Sequence, residues 1–149
     1  MEKQNKQLVF TNGCFDILHR GHVEYLRQAK VLGDLLFVGL NSDNSVTRLK
    51  GRGRPILAQE DRAFILASLA VVDYVSIFDE ETPQELIQAI QPDILVKGGD
   101  YRLNQIVGRR VVEERGGQVK TIPLIPNRST SDILQKIISF TKQGFFNKV

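Results

Sequence analysis

Cysteine occurs once in these 149 residues, as Cys14, and tryptophan not at all. One cysteine excludes an internal disulfide and a cysteine metal cluster. Histidine is almost as scarce, with two in the chain. No apolar stretch approaches the roughly 20 residues that a membrane-spanning helix requires. The opening MEKQNKQLVF carries charge without the long apolar run of a secretory leader. A cytoplasmic location is the default expectation, with no membrane partner. The net charge of +3 is a mild bias consistent with phosphate-rich ligands, and equally with plain solubility. No basic run marks a nucleic-acid surface, so no nucleic-acid partner is expected.

The composition is that of an ordinary globular protein, 42% hydrophobic and 25% charged. The length favours one domain over residues 1–149, with a core over about 7–140 and a loose tail to Val149. Apolar runs alternate with helical spacing. Residues 8–11 read as a strand that stops at Asn12-Gly13. Residues 23–32 have helical spacing, with Val23, Leu26 and Ala29 on one face. Residues 35–40 form a near-continuous apolar run, as in a strand buried on both faces. Asp43 can cap a short helix toward Lys50. Residues 51–57 read as a loop, 59–70 as a helix and 74–78 as a strand. Pro83 opens a helix running to Ile90. Strands are expected at 94–96 and 119–122, with a helix at 107–115 between them. Thr130 or Ser131 can cap a last helix to about Phe140. This alternation implies an open parallel sheet with right-handed crossovers. In such sheets ligands bind beyond the carboxyl ends of the strands, near the switch point.

Both histidines fall just after the first strand, in TNGCFDILHRGH, as His19-Arg20-Gly21-His22. A helix amino end offers free N–H groups and a partial positive charge, which favour phosphate. Gly21 lets a phosphate approach the backbone. Two imidazoles three residues apart can face one ligand and donate to its oxygens. Zinc is a weaker reading, because no third ligand stands at a useful spacing. Asp16 can hold the loop through backbone hydrogen bonds or face a ligand.

The segment resembles the signature of the HxGH nucleotidyltransferase superfamily, and the likeness covers the chain from Leu8 to about Ile138. That resemblance implies a Rossmann-like α/β three-layer sandwich with a parallel sheet of about five strands. Later segments narrow it: NSDNSVTRLKG at 41–51, Arg54-Pro55-Ile56, VKGGDY at 96–101 and Ser-Thr-Ser at 129–131. Together they resemble the cytidylyltransferase-like adenylyltransferases of heptose-phosphate metabolism. These transfer AMP from ATP to D-glycero-β-D-manno-heptose 1-phosphate, giving ADP-heptose and pyrophosphate. That activity is often fused to a sugar kinase. No kinase half is visible, so a stand-alone enzyme with a separate sugar kinase, or an isolated domain, is implied.

The resemblance implies direct attack by the sugar phosphate on the α-phosphorus, so catalysis needs positioning and charge stabilisation more than a protein nucleophile. By this carry-over His19 and His22 contact the triphosphate, with Lys50 bridging it to the attacking phosphate. Gly13, Cys14, Phe15, Gly21, Lys97, Gly98, Ser129 and Thr130 join them around the nucleotide. Asp16, Asn41, Asp43, Lys50, Arg54, Gly99 and Asp100 are the expected acceptor contacts. Each has an ordinary role open to it as well: a cap, a strand-end turn or a surface charge. Arg62 is expected to be exposed or salt-bridged on its helix, although an arginine of that helix reaches the site in related enzymes. Mg²⁺ is expected on the ATP phosphates, with no protein metal ligand. A homodimer is common for such folds. Arg128, directly before Ser129, departs from the related pattern. A cytidylyltransferase acting on glycerol 3-phosphate is the nearest alternative. A nucleotide-binding module without turnover is the alternative of another class. A class I aminoacyl-tRNA synthetase has a similar histidine signature, but the length is short for that catalytic body and a matching lysine-rich loop before the last helix is missing; specific, salt-sensitive tRNA binding would revive that reading.

Overall fold

The computed structural model describes residues 5–99 and 101–146. Five parallel strands form one sheet in the order β3-β2-β1-β4-β5. They are β1 (Leu8–Gly13), β2 (Leu35–Asn41), β3 (Tyr74–Phe78), β4 (Ile94–Gly98) and β5 (Gln118–Ile122). The helices are α1 (Arg20–Lys30), α2 (Asp43–Lys50), α3 (Gln59–Ala67), α4 (Gln84–Ile90), α5 (Arg109–Glu113) and α6 (Thr130–Lys142). A short 3₁₀ turn lies at Leu103–Gln105.

Alternation along the strands sorts the core into two layers. Val9, Val38, Ile94 and Val96 face Leu26 and Ala29 of α1 and Leu66 of α3. Phe10 and Leu95 face Ile87 of α4 and Val112 of α5. The sheet is therefore covered on both sides, as the near-continuous apolar runs require. Helix α6 differs: it has no buried residue, and Ile138 is 53% exposed. Among the described residues, no helix is long and apolar enough to cross a membrane.

At the amino ends of the strands, aspartates bind backbone. The amides of Gln7, Leu8 and Leu36 donate to the carboxylates of Asp34, Asp93 and Asp73, respectively. The chain steps outward from β1 to β3, then crosses back to β4 on the other side of β1. The switch point, and hence the expected ligand crevice, lies above β1.

Element boundaries differ from the sequence expectations in instructive places. Ser42, not Asp43, caps α2, because its hydroxyl accepts from Ser45 N. Ser129, not Thr130 or Ser131, caps α6. Helix α1 begins at Arg20 because His19 supplies the cap, which apolar spacing does not reveal. Helix α5 is shorter than expected, since Gly108 ahead of it adopts φ 84. Helix α3 ends at Ala67 and α6 runs past Phe140 to Lys142. Residues 143–146 turn back on α6: Phe145 N donates to Phe140 O, and the two rings lie 5.6 Å apart. The rest of the tail lies outside the described residues.

Candidate active site

A cleft of about 720 Å³ opens above the carboxyl ends of the strands. Its first wall is the turn from β1 into α1. Phe15 and Ile17 adopt left-handed backbone there, at φ 45 and 51. That conformation is costly for side chains of this size and needs outside support. Asp16 supplies some of it. Its buried carboxylate accepts from Arg54 Nε at 2.9 Å, Ile56 N at 2.8 Å and Leu57 N at 3.0 Å. Burial alone would raise the Asp16 pKa, but the Leu57 and Ile56 amides and Arg54 hold it below the ordinary carboxylate range.

The histidines close the amino end of α1 as a reciprocal cap. Gly21 N donates to His19 Nδ1 at 3.1 Å, and His19 N donates to His22 Nδ1 at 3.3 Å. The rings stack with centroids 3.8 Å apart, and Phe15 packs 5.5 Å from His22. Burial lowers both imidazoles, His22 to about 4 with help from the neighbouring His19. Both rings are then neutral near pH 7. With each Nδ1 accepting, the proton sits on Nε2, so each ring has one N–H left to donate.

Across the cleft stands the amino end of α6. Thr130 Oγ1 donates to Asp16 O at 2.8 Å, which ties this helix start to the β1 turn. The approach is close at Gly21: a Cβ there would lie 2.8 Å from His19 Cε1 and 2.9 Å from Arg128 O. The missing side chain makes room for the His19 ring and the Arg128 carbonyl, and Gly21 still borders the cleft. Lys50, Arg54, Lys97 and Arg128 also line the cleft. Burial lowers the Lys97 ammonium, whose Nζ lies 5.7 Å from the Tyr101 ring centroid.

Residues 10–136 match the family model described as cytidylyltransferase-like. The chain belongs to the cytidylyltransferase-like family. It is 54% identical over 142 residues to the bifunctional protein HldE of Syntrophotalea carbinolica, covering 95% of this chain and 29% of that one. The HldE of Wolinella succinogenes is 60% identical over 134 residues, 90% of this chain and 27% of that protein. The chain thus spans under a third of the length of these relatives. A lipopolysaccharide core biosynthesis protein from Thermoplasma volcanium superposes with a TM-score of 0.66 at 30% identity, covering 80% of this chain and 97% of that one. Family and relatives together make this chain a nucleotidyltransferase.

In this cytidylyltransferase-like domain most of the expected residues meet. The cleft is lined by Gly13, Cys14, Phe15, Asp16, His19, Gly21 and His22 from the β1 turn. Asn41, Lys50 and Arg54 come from the β2 side, and Lys97, Gly98, Ser129 and Thr130 from the β4 and α6 side. Gly99 stands just beyond Gly98 at φ 82, and Asp100 lies outside the described residues. Burial raises the Cys14 thiol, while Lys50, Arg62 and Arg54 pull the other way.

Several groups are committed to the protein. Asp43 does not line the cleft but pairs with Arg62 at 2.7 Å. Arg62, expected to be exposed or salt-bridged, is salt-bridged and 1% exposed. It donates to the carbonyls of Leu57, Cys14 and Asn41, joining α3 to the ends of β1 and β2. Asn41 Nδ2 is engaged by Ser45 Oγ. Sequence reasoning passed over Asn12, Tyr25, Tyr101 and Leu124, which also line the cleft. For Asn12 the signal was available: it extends the strand alternation past the apolar run.

Proposed function

We propose that this chain transfers AMP from ATP to D-glycero-β-D-manno-heptose 1-phosphate. An oxygen of the sugar phosphate attacks the α-phosphorus in line. The bond from that phosphorus to the α,β-bridging oxygen breaks, and pyrophosphate leaves with the electron pair. The observation that carries the chemistry is the stacked histidine cap facing the start of α6 across one cleft. Each ring keeps one Nε2–H donor, and two helix amino ends border the same cleft, a combination suited to phosphate. Because they are fixed before substrate arrives, they meet charge that develops on the leaving phosphates without reorganisation.

Lys50 bridges the two substrates in this reading, and Arg54 supports it from its pairing with Asp16. Gly13, Cys14, Phe15 and Gly98 lie along the nucleotide, and Gly99 and Asp100 serve the acceptor. Mg²⁺ would be held by the ATP phosphates and would neutralise part of their charge. It fits the cleft in that form, since both Asp16 oxygens are already bonded to Arg54 and backbone amides. The heptose choice is supported by the resemblance of the 41–51, 96–101 and 129–131 segments and by the extent of identity to HldE proteins. A sugar kinase, fused or separate, would supply the acceptor phosphate. A cytoplasmic homodimer completes the proposal.

The test is pyrophosphate release with Mg²⁺, pairing ATP or CTP with heptose 1-phosphate or glycerol 3-phosphate. Release with ATP and heptose 1-phosphate is expected. Release only with CTP and glycerol 3-phosphate would keep the mechanism and overturn the substrates. No release from a folded, nucleotide-binding sample would overturn turnover of these substrates.

A further inference from the structure

The cleft above β1 has two sides. On one, Thr11 Oγ1 meets Tyr25 Oη of α1 at 2.7 Å, and the histidine cap follows. The next residue, Asn12, projects from the opposite face of the strand, together with Phe10. Its position is marked by Gly39, its register partner on β2. A Cβ at Gly39 would lie 3.0 Å from Leu86 Cδ2 of α4 and 3.3 Å from Asn12 Cβ. Asn12 therefore stands over the α4 layer. The cleft extends there between Pro83, Ile106 and Val107, with Glu81, Thr82 and Gln105 among its lining residues. Lys97, two residues beyond Leu95 on β4, projects from the same face.

The Asn12 amide oxygen is buried and accepts no hydrogen bond from any described residue. Buried polar groups in native proteins are nearly always paired, so an unpaired one calls for a partner. A half-turn of the amide exchanges its oxygen and nitrogen with little change of shape, so either can face the cleft. A hydroxyl both donates and accepts, and it suits an amide in either orientation. Glu81 is exposed and has the chemistry to accept from further hydroxyls, while Pro83, Ile106 and Val107 offer apolar wall to C–H groups.

In-line displacement decides which substrate enters this side. The attacking and leaving oxygens must lie on opposite sides of the α-phosphorus. If pyrophosphate leaves against the α1 and α6 amino ends, the attacking phosphate approaches from the other face of β1. We propose that this lobe holds the body of the sugar phosphate acceptor, with Asn12 hydrogen-bonded to one of its hydroxyls as a specificity-determining contact. The proposal rests on the function proposed above, and it moves Lys97 from the nucleotide to the phosphate end of the acceptor.

Asn12→Leu keeps the size and removes the amide. It should raise the KM for the acceptor about tenfold, the effect of one lost binding-site hydrogen bond, and leave the KM for ATP unchanged. The comparison uses whichever acceptor the wild type turns over, heptose 1-phosphate or glycerol 3-phosphate. Loss of the heptose reading is thereby visible separately. With heptose 1-phosphate, one monodeoxy analogue should be poor for the wild type and lose nothing further with the variant. An unchanged acceptor KM, or a rise in the ATP KM alone, would overturn the proposal. ATP binding by calorimetry gives a reading independent of turnover: a tenfold weakening in Asn12→Leu would also overturn it. Should Asn12→Leu fail to fold, Asn12→Asp and the deoxy series on the wild type make the same test.

Discussion

The two ends of the sheet use polar residues in opposite ways. At the amino ends, Asp34, Asp73 and Asp93 turn their carboxylates onto strand amides. At the carboxyl ends Lys50, Lys97, both histidines and two helix starts line a cleft. At the first end the carboxylates are satisfied within the protein, by strand amides and by Lys30. The other is rich in donors that the fold leaves directed outward. Asp16 sharpens the contrast: it is a carboxylate at the cationic end, and three donors have bound it fully. Residue type alone does not separate scaffold from site. The number of bonds already made within the protein does.

The largest expected effect falls on a residue of the carboxyl end that behaves like scaffold. Arg62→Met strands three carbonyl acceptors, at about 1–3 kcal/mol for each one left buried and unpaired, and should give the largest fall in unfolding free energy, measured by urea denaturation. A loss under 1 kcal/mol would show that the joint is dispensable. Next is His19→Ala. Loss of one preorganised donor should cut kcat by about 10²–10³, while loss of the cap costs about 1 kcal/mol of stability. Equal loss of ATP affinity and turnover would instead assign the histidine to binding.

The amino end should respond in the reverse manner. Asp73→Ala removes the acceptor of Leu36 N and the partner of Lys30, and should cost about 1–3 kcal/mol, with kcat per folded molecule unchanged. A change in kcat would couple the two ends and break the comparison. The smallest effect is a slope with pH. His22 is lowered from the ordinary 6.5 to about 4. Between those values the unfolded chain carries a proton on this residue that the folded chain lacks. Stability should therefore fall as pH drops from 6.5 toward 4, and His22→Gln should flatten that part of the thermal-melt profile.

Strand and helix order was legible because two-face burial leaves long apolar runs, as in residues 35–40. The histidine turn was legible because both histidines share it. Arg62 and Asp43 were not, since their meaning lies in contacts between α2, α3 and two strand ends that no local pattern encodes. Gly21 was read for a close backbone approach, and part of what approaches it is the protein itself. Its space is taken by His19 and the Arg128 carbonyl, a contact made across more than 100 positions of the chain.

The reciprocal histidine cap has an engineering consequence. A serine at 19 with a glutamate at 22 would be the ordinary way to strengthen such a helix start. Here that exchange would give a firmer helix and remove both Nε2 donors together. Selection for heat resistance alone would therefore push this turn toward inactivity, and a stabilised variant must find its gains elsewhere. The exposed face of α6 is one place where substitutions leave the cap intact.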